Sequence, residues 1–199
     1  MVILIGIAGP SASGKSTLCN ELQKHLKDAI VIHTDDYWCN PERFPKVREF
    51  KNWELPECID FDTLYSNLKE LRECKVTLAP QWVQGNYPPL QRKLTPAPII
   101  IVEGFRLFYD ARIRKILNFK VYIDLPEEVI VQRRVTRLRH GKQERELYYR
   151  EIVVPEDRKY GVPTRKYADL IIDGTKPISE MVEEIMDVLN LLSNSILKI

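Results

Sequence analysis

Residues 9–16 read Gly9-Pro10-Ser11-Ala12-Ser13-Gly14-Lys15-Ser16, a spacing of glycines, lysine and hydroxyl that can enclose a polyphosphate. Glycines let the backbone curl so that successive N–H groups converge on one anion, and a helix starting there adds its partial positive charge. In such a loop Lys15 reaches the β- and γ-phosphates of ATP and the Ser16 hydroxyl ligates Mg²⁺. Gly9, Ser11, Ala12, Ser13, Gly14, Lys15, Ser16 and Thr17 are therefore the candidate nucleotide-binding stretch. Asp35, with Asp36 beside it, follows an apolar run and could orient an alcohol and take its proton. Asp pairs also serve as turns and helix caps, and the local sequence leaves both uses open. Glu103 follows Ile99-Ile100-Ile101-Val102 and precedes Gly104, a position that suits a carboxylate holding Mg²⁺ directly or through water. Arg133, Arg134, Arg137 and Arg139 fall on a helical pattern in which Arg137 shares a face with Arg133 and with Arg134. Planar, permanently charged guanidiniums suit a phosphoryl group in transit.

The elements that must position these groups alternate along the chain. Val2–Ile7, Ile30–Ile32, Ile99–Val102, Lys120–Asp124 and Leu170–Ile172 read as short buried strands. Helical patterns lie between and after them: Thr17–Leu26, Asp60–Arg72, Asp110–Leu117, Pro126–Arg139 and Ile178–Leu192. Continuous apolar strands alternating with helices predict a five-stranded parallel sheet covered on both faces. Ligands of such sheets sit at the carboxyl ends of the strands, which is where the loop, Asp35 and Glu103 fall. Two segments break the alternation. Residues 37–58 form an irregular excursion rich in proline and aromatics, and residues 75–98 read as a proline-broken hairpin carrying Trp82 and Tyr87. Aromatics there could stack a planar base or simply fill core.

A length of 199 residues and 44% hydrophobic content fit one globular domain, 1–199, with a small lid. The 30 basic and 28 acidic residues nearly cancel, so no nucleic-acid partner is expected. Basic residues instead gather between Arg133 and Arg150, a local concentration that suits phosphate. No apolar run approaches the ~20 residues of a membrane helix, so no membrane partner is expected. The first strand begins at the N-terminus and leaves no room for a signal peptide, which predicts a cytoplasmic protein. Cys19, Cys39, Cys58 and Cys74 lack metal-ligand or redox spacing, and His25, His33 and His140 form no nucleophilic constellation with them.

Gly6-Ile7-Ala8-Gly9-Pro10-Ser11-Ala12-Ser13-Gly14-Lys15-Ser16-Thr17 resembles the opening of the uridine–cytidine kinases and the related nicotinamide riboside kinases, and the similarity runs over nearly the whole chain. Thr34-Asp35-Asp36-Tyr37 is similar to the motif whose first Asp is the family's catalytic base, which implies that role for Asp35. Asn52-Trp53-Glu54 resembles the aromatic–acid pair that holds the ribose, with Glu54 standing where the family has Asp. Val102-Glu103-Gly104-Phe105 resembles the family's Glu-Gly turn, and Arg133–Arg137 its arginine-rich lid, here about residues 133–160. Pro163–Asp169 looks like the uridine kinase branch. Asp35-Asp36-Tyr37, Gly104–Phe108 and Asp173–Lys176 look closer to the nicotinamide riboside branch.

The resemblance implies a nucleoside-kinase-like α/β P-loop NTPase with a helical lid, using ATP and Mg²⁺ to phosphorylate the 5′-hydroxyl of a small-molecule ribonucleoside. Its implied catalytic set is Asp35, Lys15, Arg134 and Arg137. Its acceptor site is Asp35, Trp53, Glu54, Trp82, Tyr87 and Arg134, and its metal ligands are Ser16 and Glu103. Uridine and cytidine are the expected substrates and nicotinamide riboside the alternative. A non-catalytic ATP-binding regulator, or a kinase of another alcohol, remain as further readings.

Overall fold

The structure is a computed structural model that describes residues 2–84, 86–136 and 146–196. Its centre is a five-stranded, all-parallel sheet of β1 (Ile3–Ala8), β2 (Ala29–His33), β7 (Ile99–Gly104), β8 (Phe119–Asp124) and β9 (Leu170–Asp173), in the order β2-β7-β1-β8-β9. Alternate residues of each strand serve opposite faces. Leu4, Ile100 and Val102 join a core completed by Leu64, Leu68, Phe108 and Ile113, whereas Ile5, Ile7 and Ile101 join a second core with Leu18, Leu22, Met181 and Ile185. Both faces being buried, the strands carry apolar residues in sequence rather than every second one.

Four helices pack around the sheet: α1 (Lys15–His25), α2 (Phe61–Arg72), α3 (Ala111–Ile116) and α5 (Ile178–Ile196). Asp60 and Asp110, expected inside α2 and α3, are instead their N-caps. Asp60 Oδ1 accepts the Thr63 N–H at 2.9 Å and Asp110 Oδ1 that of Arg112 at 2.7 Å. Helix α4 (Glu127–Thr136) is followed, after the undescribed residues, by π-helical turns at Tyr149–Val153 and Asp157–Gly161. Tyr149, Val153 and Val154 pack there against Leu125, Ile130 and Val131 of the chain leading into and along α4.

The two irregular segments form small antiparallel pieces over the strand ends. One is β3 (Lys46–Val47) with β4 (Phe50–Lys51); the other is the hairpin β5 (Thr77–Val83) and β6 (Asn86–Leu94). Among the described residues no helix is long and apolar enough to cross a membrane.

Candidate active site

The parallel register brings the chemistry together before any side chain is considered. Ala8 pairs with Gly104, and Ile7 and His33 both pair with Glu103, so β1, β2 and β7 end side by side. The phosphate loop leaves β1 through Gly9 at φ 152° and enters α1 through Gly14 at φ 92°. Both values favour glycine, and a Cβ on Gly9 would lie 2.6 Å from the Ile123 carbonyl oxygen. Lys15 is buried and its Nζ donates to the Gly9 and Pro10 carbonyls at 3.1 and 2.9 Å. Burial lowers the pKa of this ammonium, while Glu103 and Asp35 act to raise it. The loop between Ser11 and Thr17, with Asp35, Glu103 and Phe105, lines a cavity of about 310 Å³.

Glu103 is buried at the floor of that cavity. Its Oε1 accepts the Ser16 hydroxyl at 2.8 Å and lies 2.7 Å from His33 Nδ1. Burial alone would raise this carboxyl, but the hydrogen bond to His33 and the Lys15 charge outweigh it and hold the pKa below its usual value. Two hard oxygen ligands this close suit a magnesium ion that takes its remaining ligands from phosphate and water. Among the described residues no group of three or more His, Cys, Asp or Glu could hold a metal. His33 was not singled out from the sequence. Its signal was its position at the end of β2, two residues before Asp35.

A second cavity of about 1250 Å³ opens beside the first and takes in Trp53, Glu54, Trp82, Tyr87 and Arg134. Asp35, Ser11 and Phe105 line both cavities. Asp35 therefore stands where the phosphate cavity meets the larger one. Desolvation, and then the nearby Glu103 carboxylate, raise its pKa to about 6, against the pull of Lys15. Glu54 is buried in the wall of the larger cavity, and that burial raises its pKa although Arg134 opposes it. The Tyr148 hydroxyl donates to Glu54 Oε1 at 3.4 Å, and Arg134 Nη2 lies 4.0 Å from the same oxygen.

Arg134 joins the two cavities. It donates through Nη2 to the Ser11 hydroxyl and lies 5.2 Å over the Tyr149 ring. Arg133 turns the other way, donating to the Ala12 and Gly174 carbonyls at 3.3 and 2.9 Å, which braces the back of the loop. Arg137 and Arg139 lie outside the described residues.

The aromatic wall is built of rings packed edge-on. Trp38 and Trp53 have centroids 5.2 Å apart at 89°, and Trp53 and Trp82 lie 6.1 Å apart at 77°. Tyr37 does not share in it. Of the two uses the sequence leaves open for these aromatics it takes the core: it is 1% exposed, and its hydroxyl donates to Asn67 Oδ1 at 3.1 Å. Asp36 is also structural: Oδ1 accepts the Trp82 backbone N–H at 3.1 Å and Oδ2 accepts Arg92 Nη2 at 2.8 Å, fixing the hairpin over the cavity. Tyr148 and Tyr149 are further wall residues that spacing did not reveal, because they reach the site from beyond α4.

The chain is similar in sequence and fold to known proteins. A uridine kinase of Brevibacillus brevis is 33% identical over 179 residues, covering 85% of this chain and 84% of that protein. Uridine kinase-like protein 3 of Arabidopsis thaliana is 32% identical over 181 residues, and the match takes in 85% of this chain but spans only 38% of that longer relative. The phosphoribulokinase from Rhodobacter spheroides has the same fold, with a TM-score of 0.64 at 13% identity over 89% of this chain and 74% of that one. The sequence profile of the phosphoribulokinase / uridine kinase family matches residues 4–178, from β1 and its phosphate loop to the start of α5, and the chain belongs to that family.

Proposed function

We propose that this chain is an ATP-dependent kinase that phosphorylates the 5′-hydroxyl of a ribonucleoside, with uridine and cytidine as its acceptors. The observation that carries this reading is the shared position of Asp35, which lines both the phosphate cavity and the larger aromatic one. A carboxylate there can hold a hydroxyl entering from one side in line with a γ-phosphate entering from the other.

In the proposed reaction the loop amides and Lys15 hold the phosphates of ATP. Bound Mg²⁺, held by Ser16 and Glu103, would neutralise phosphate charge. Asp35 accepts the proton of the 5′-hydroxyl as its oxygen forms a bond to the γ-phosphorus and the bond to the ADP oxygen breaks. Arg134, with Arg137 of the lid, balances the charge on the moving phosphoryl group. Glu54 accepts hydrogen bonds from the ribose, and Trp53, Trp82 and Tyr87 enclose the base. Residues 1–199 act as one kinase domain in the cytoplasm. An acceptor site closed by its lid favours transfer over hydrolysis of ATP.

One feature favours nicotinamide riboside as a second reading. The larger cavity combines an aromatic wall with three carboxylates, of Asp35, Glu42 and Glu54, against two cations, Lys51 and Arg134, and that acidic excess suits a cationic ring. ADP release measured with uridine, cytidine, adenosine and nicotinamide riboside separates these cases. Stimulation by the pyrimidine nucleosides is expected, and stimulation by nicotinamide riboside alone selects the second reading. If no nucleoside stimulates release while ATP promotes binding of a protein, the chain is a regulator and not a kinase.

A further inference from the structure

Glu54 is held in the acceptor cavity by its backbone as well as by its carboxylate. Its N–H donates to Asn52 Oδ1 at 3.0 Å, and its carbonyl accepts Arg106 Nε at 2.9 Å. Each of these two partners is gripped in turn by one of two adjacent acids. Asn52 Nδ2 donates to Glu156 Oε1 at 2.9 Å, and Arg106 Nη1 donates to Asp157 Oδ1 at 2.9 Å. Arg106 is 1% exposed, and Asn52 and Asp157 are buried beside it. The packing is tight enough that a Cβ on Gly161 would lie 1.9 Å from Asp157 Oδ1.

We infer that Glu156 and Asp157, acting through Asn52 and Arg106, form a clamp that positions Glu54 for the acceptor. This rests on the placement of Glu54 in the acceptor site. The four clamp residues come from three distant stretches of chain: the excursion before α2, the turn after β7 and the segment beyond α4. Only Asn52, two residues away, is near Glu54 in sequence.

A buried ion pair is not needed for stability alone, because apolar side chains of similar size often fill such a space at no loss. Such a replacement could not supply the directional N–H that Arg106 presents to the Glu54 carbonyl. Arg106 can do both because its planar fork offers separate donors to two acceptors at fixed angles. The segment carrying Glu156 and Asp157 also carries Tyr149, which packs against Arg134. Clamp and lid are therefore continuous, and the clamp ties the acceptor wall to the arginine-bearing side of the site.

The test separates positioning from folding. In the double variant Arg106→Met/Asp157→Leu an apolar pair replaces the ion pair, so the protein stays folded, melting a few degrees below wild type because the Glu54 carbonyl loses its donor. The nucleoside KM is expected to rise about tenfold with the ATP KM within about twofold of wild type. A Glu156→Ala variant should raise the nucleoside KM by about threefold, and Glu156→Gln, which keeps an acceptor for Asn52, should restore it.

A wild-type nucleoside KM in the double variant, or equal rises in both KM values, overturns the clamp. Should the double variant fail to fold, the Glu156 pair decides, and a wild-type nucleoside KM in Glu156→Ala overturns the proposal. Glu54→Gln is the control for the underlying reading. If it too leaves the nucleoside KM unchanged, Glu54 is not in the acceptor site. If it alone raises that KM, the site reading stands and the clamp falls.

Discussion

Replacing Asp35 by asparagine should make the protein more stable and nearly inactive. The carboxyl is raised from its ordinary 3.8 to about 6, chiefly by desolvation. At about 1.4 kcal/mol for each tenfold change, that shift places a cost of roughly 3 kcal/mol on the ionised form in the folded state. The carboxylate opens onto cavity water, and screening there reduces the expected stability effect to about 1 kcal/mol.

The sign follows from linkage. The folded state binds this proton more tightly than the unfolded chain, so the cost is full above about pH 6 and absent below pH 3.8. Asparagine is neutral throughout. Asp35→Asn should therefore melt about 2–4 °C above wild type at pH 8, with a smaller gain at pH 5. Turnover should fall by about two to four orders of magnitude. Wild-type turnover should itself fall as pH drops through about 6, where the base is protonated. Thermal unfolding followed by circular dichroism at both pH values, with ADP release in parallel, reads all of this. A variant no more stable than wild type at pH 8, or a gain that does not change between pH 8 and pH 5, would refute the electrostatic reasoning.

Three other outcomes follow from the same geometry. Lys15→Ala should weaken ATP binding by at least about tenfold in calorimetric titration, and unchanged affinity would remove Lys15 from the phosphate site. Glu103→Gln should raise the Mg²⁺ concentration for half-maximal turnover by about tenfold at saturating ATP, and an unaltered Mg²⁺ dependence would remove Glu103 from the metal site. Gly104→Ala places a Cβ 1.9 Å from Thr34 Oγ1 and 2.5 Å from Thr34 Cγ2 at the carboxyl end of β7. It should cost about 2 kcal/mol or more in urea unfolding, and adding Thr34→Ala should recover part of that loss.

The donor half of the site was legible in the sequence because its parts are local. The loop lies within eight consecutive residues, Glu103 directly follows an apolar run that reads as a buried strand, and Asp35 comes three residues after another. Those runs read clearly because both faces of the sheet are covered, which leaves no polar residue to interrupt Ile99–Val102. Where direction within an irregular segment mattered, spacing was silent. Tyr37 and Trp38 are neighbours in one 3-10 turn and its exit, yet one is core and the other lines the cavity. Arg133 and Arg134 are equally basic neighbours on one helix, and only the packing of α4 decides that Arg134 faces Glu54 while Arg133 braces the loop. The Arg106–Asp157 pair spans 51 residues and joins two stretches with no shared pattern, so nothing short of the fold could reveal it.

In the proposed reaction Asp35 takes the proton of a nucleoside 5′-hydroxyl while the loop presents ATP. The most direct measurement of this step is ³¹P NMR of the product formed from Mg²⁺-ATP and uridine. A nucleoside 5′-monophosphate with one equivalent of ADP is expected, made by wild type and lost in Asp35→Asn. Inorganic phosphate and ADP without phosphorylated nucleoside, or a 5′-monophosphate made equally well by Asp35→Asn, would contradict it.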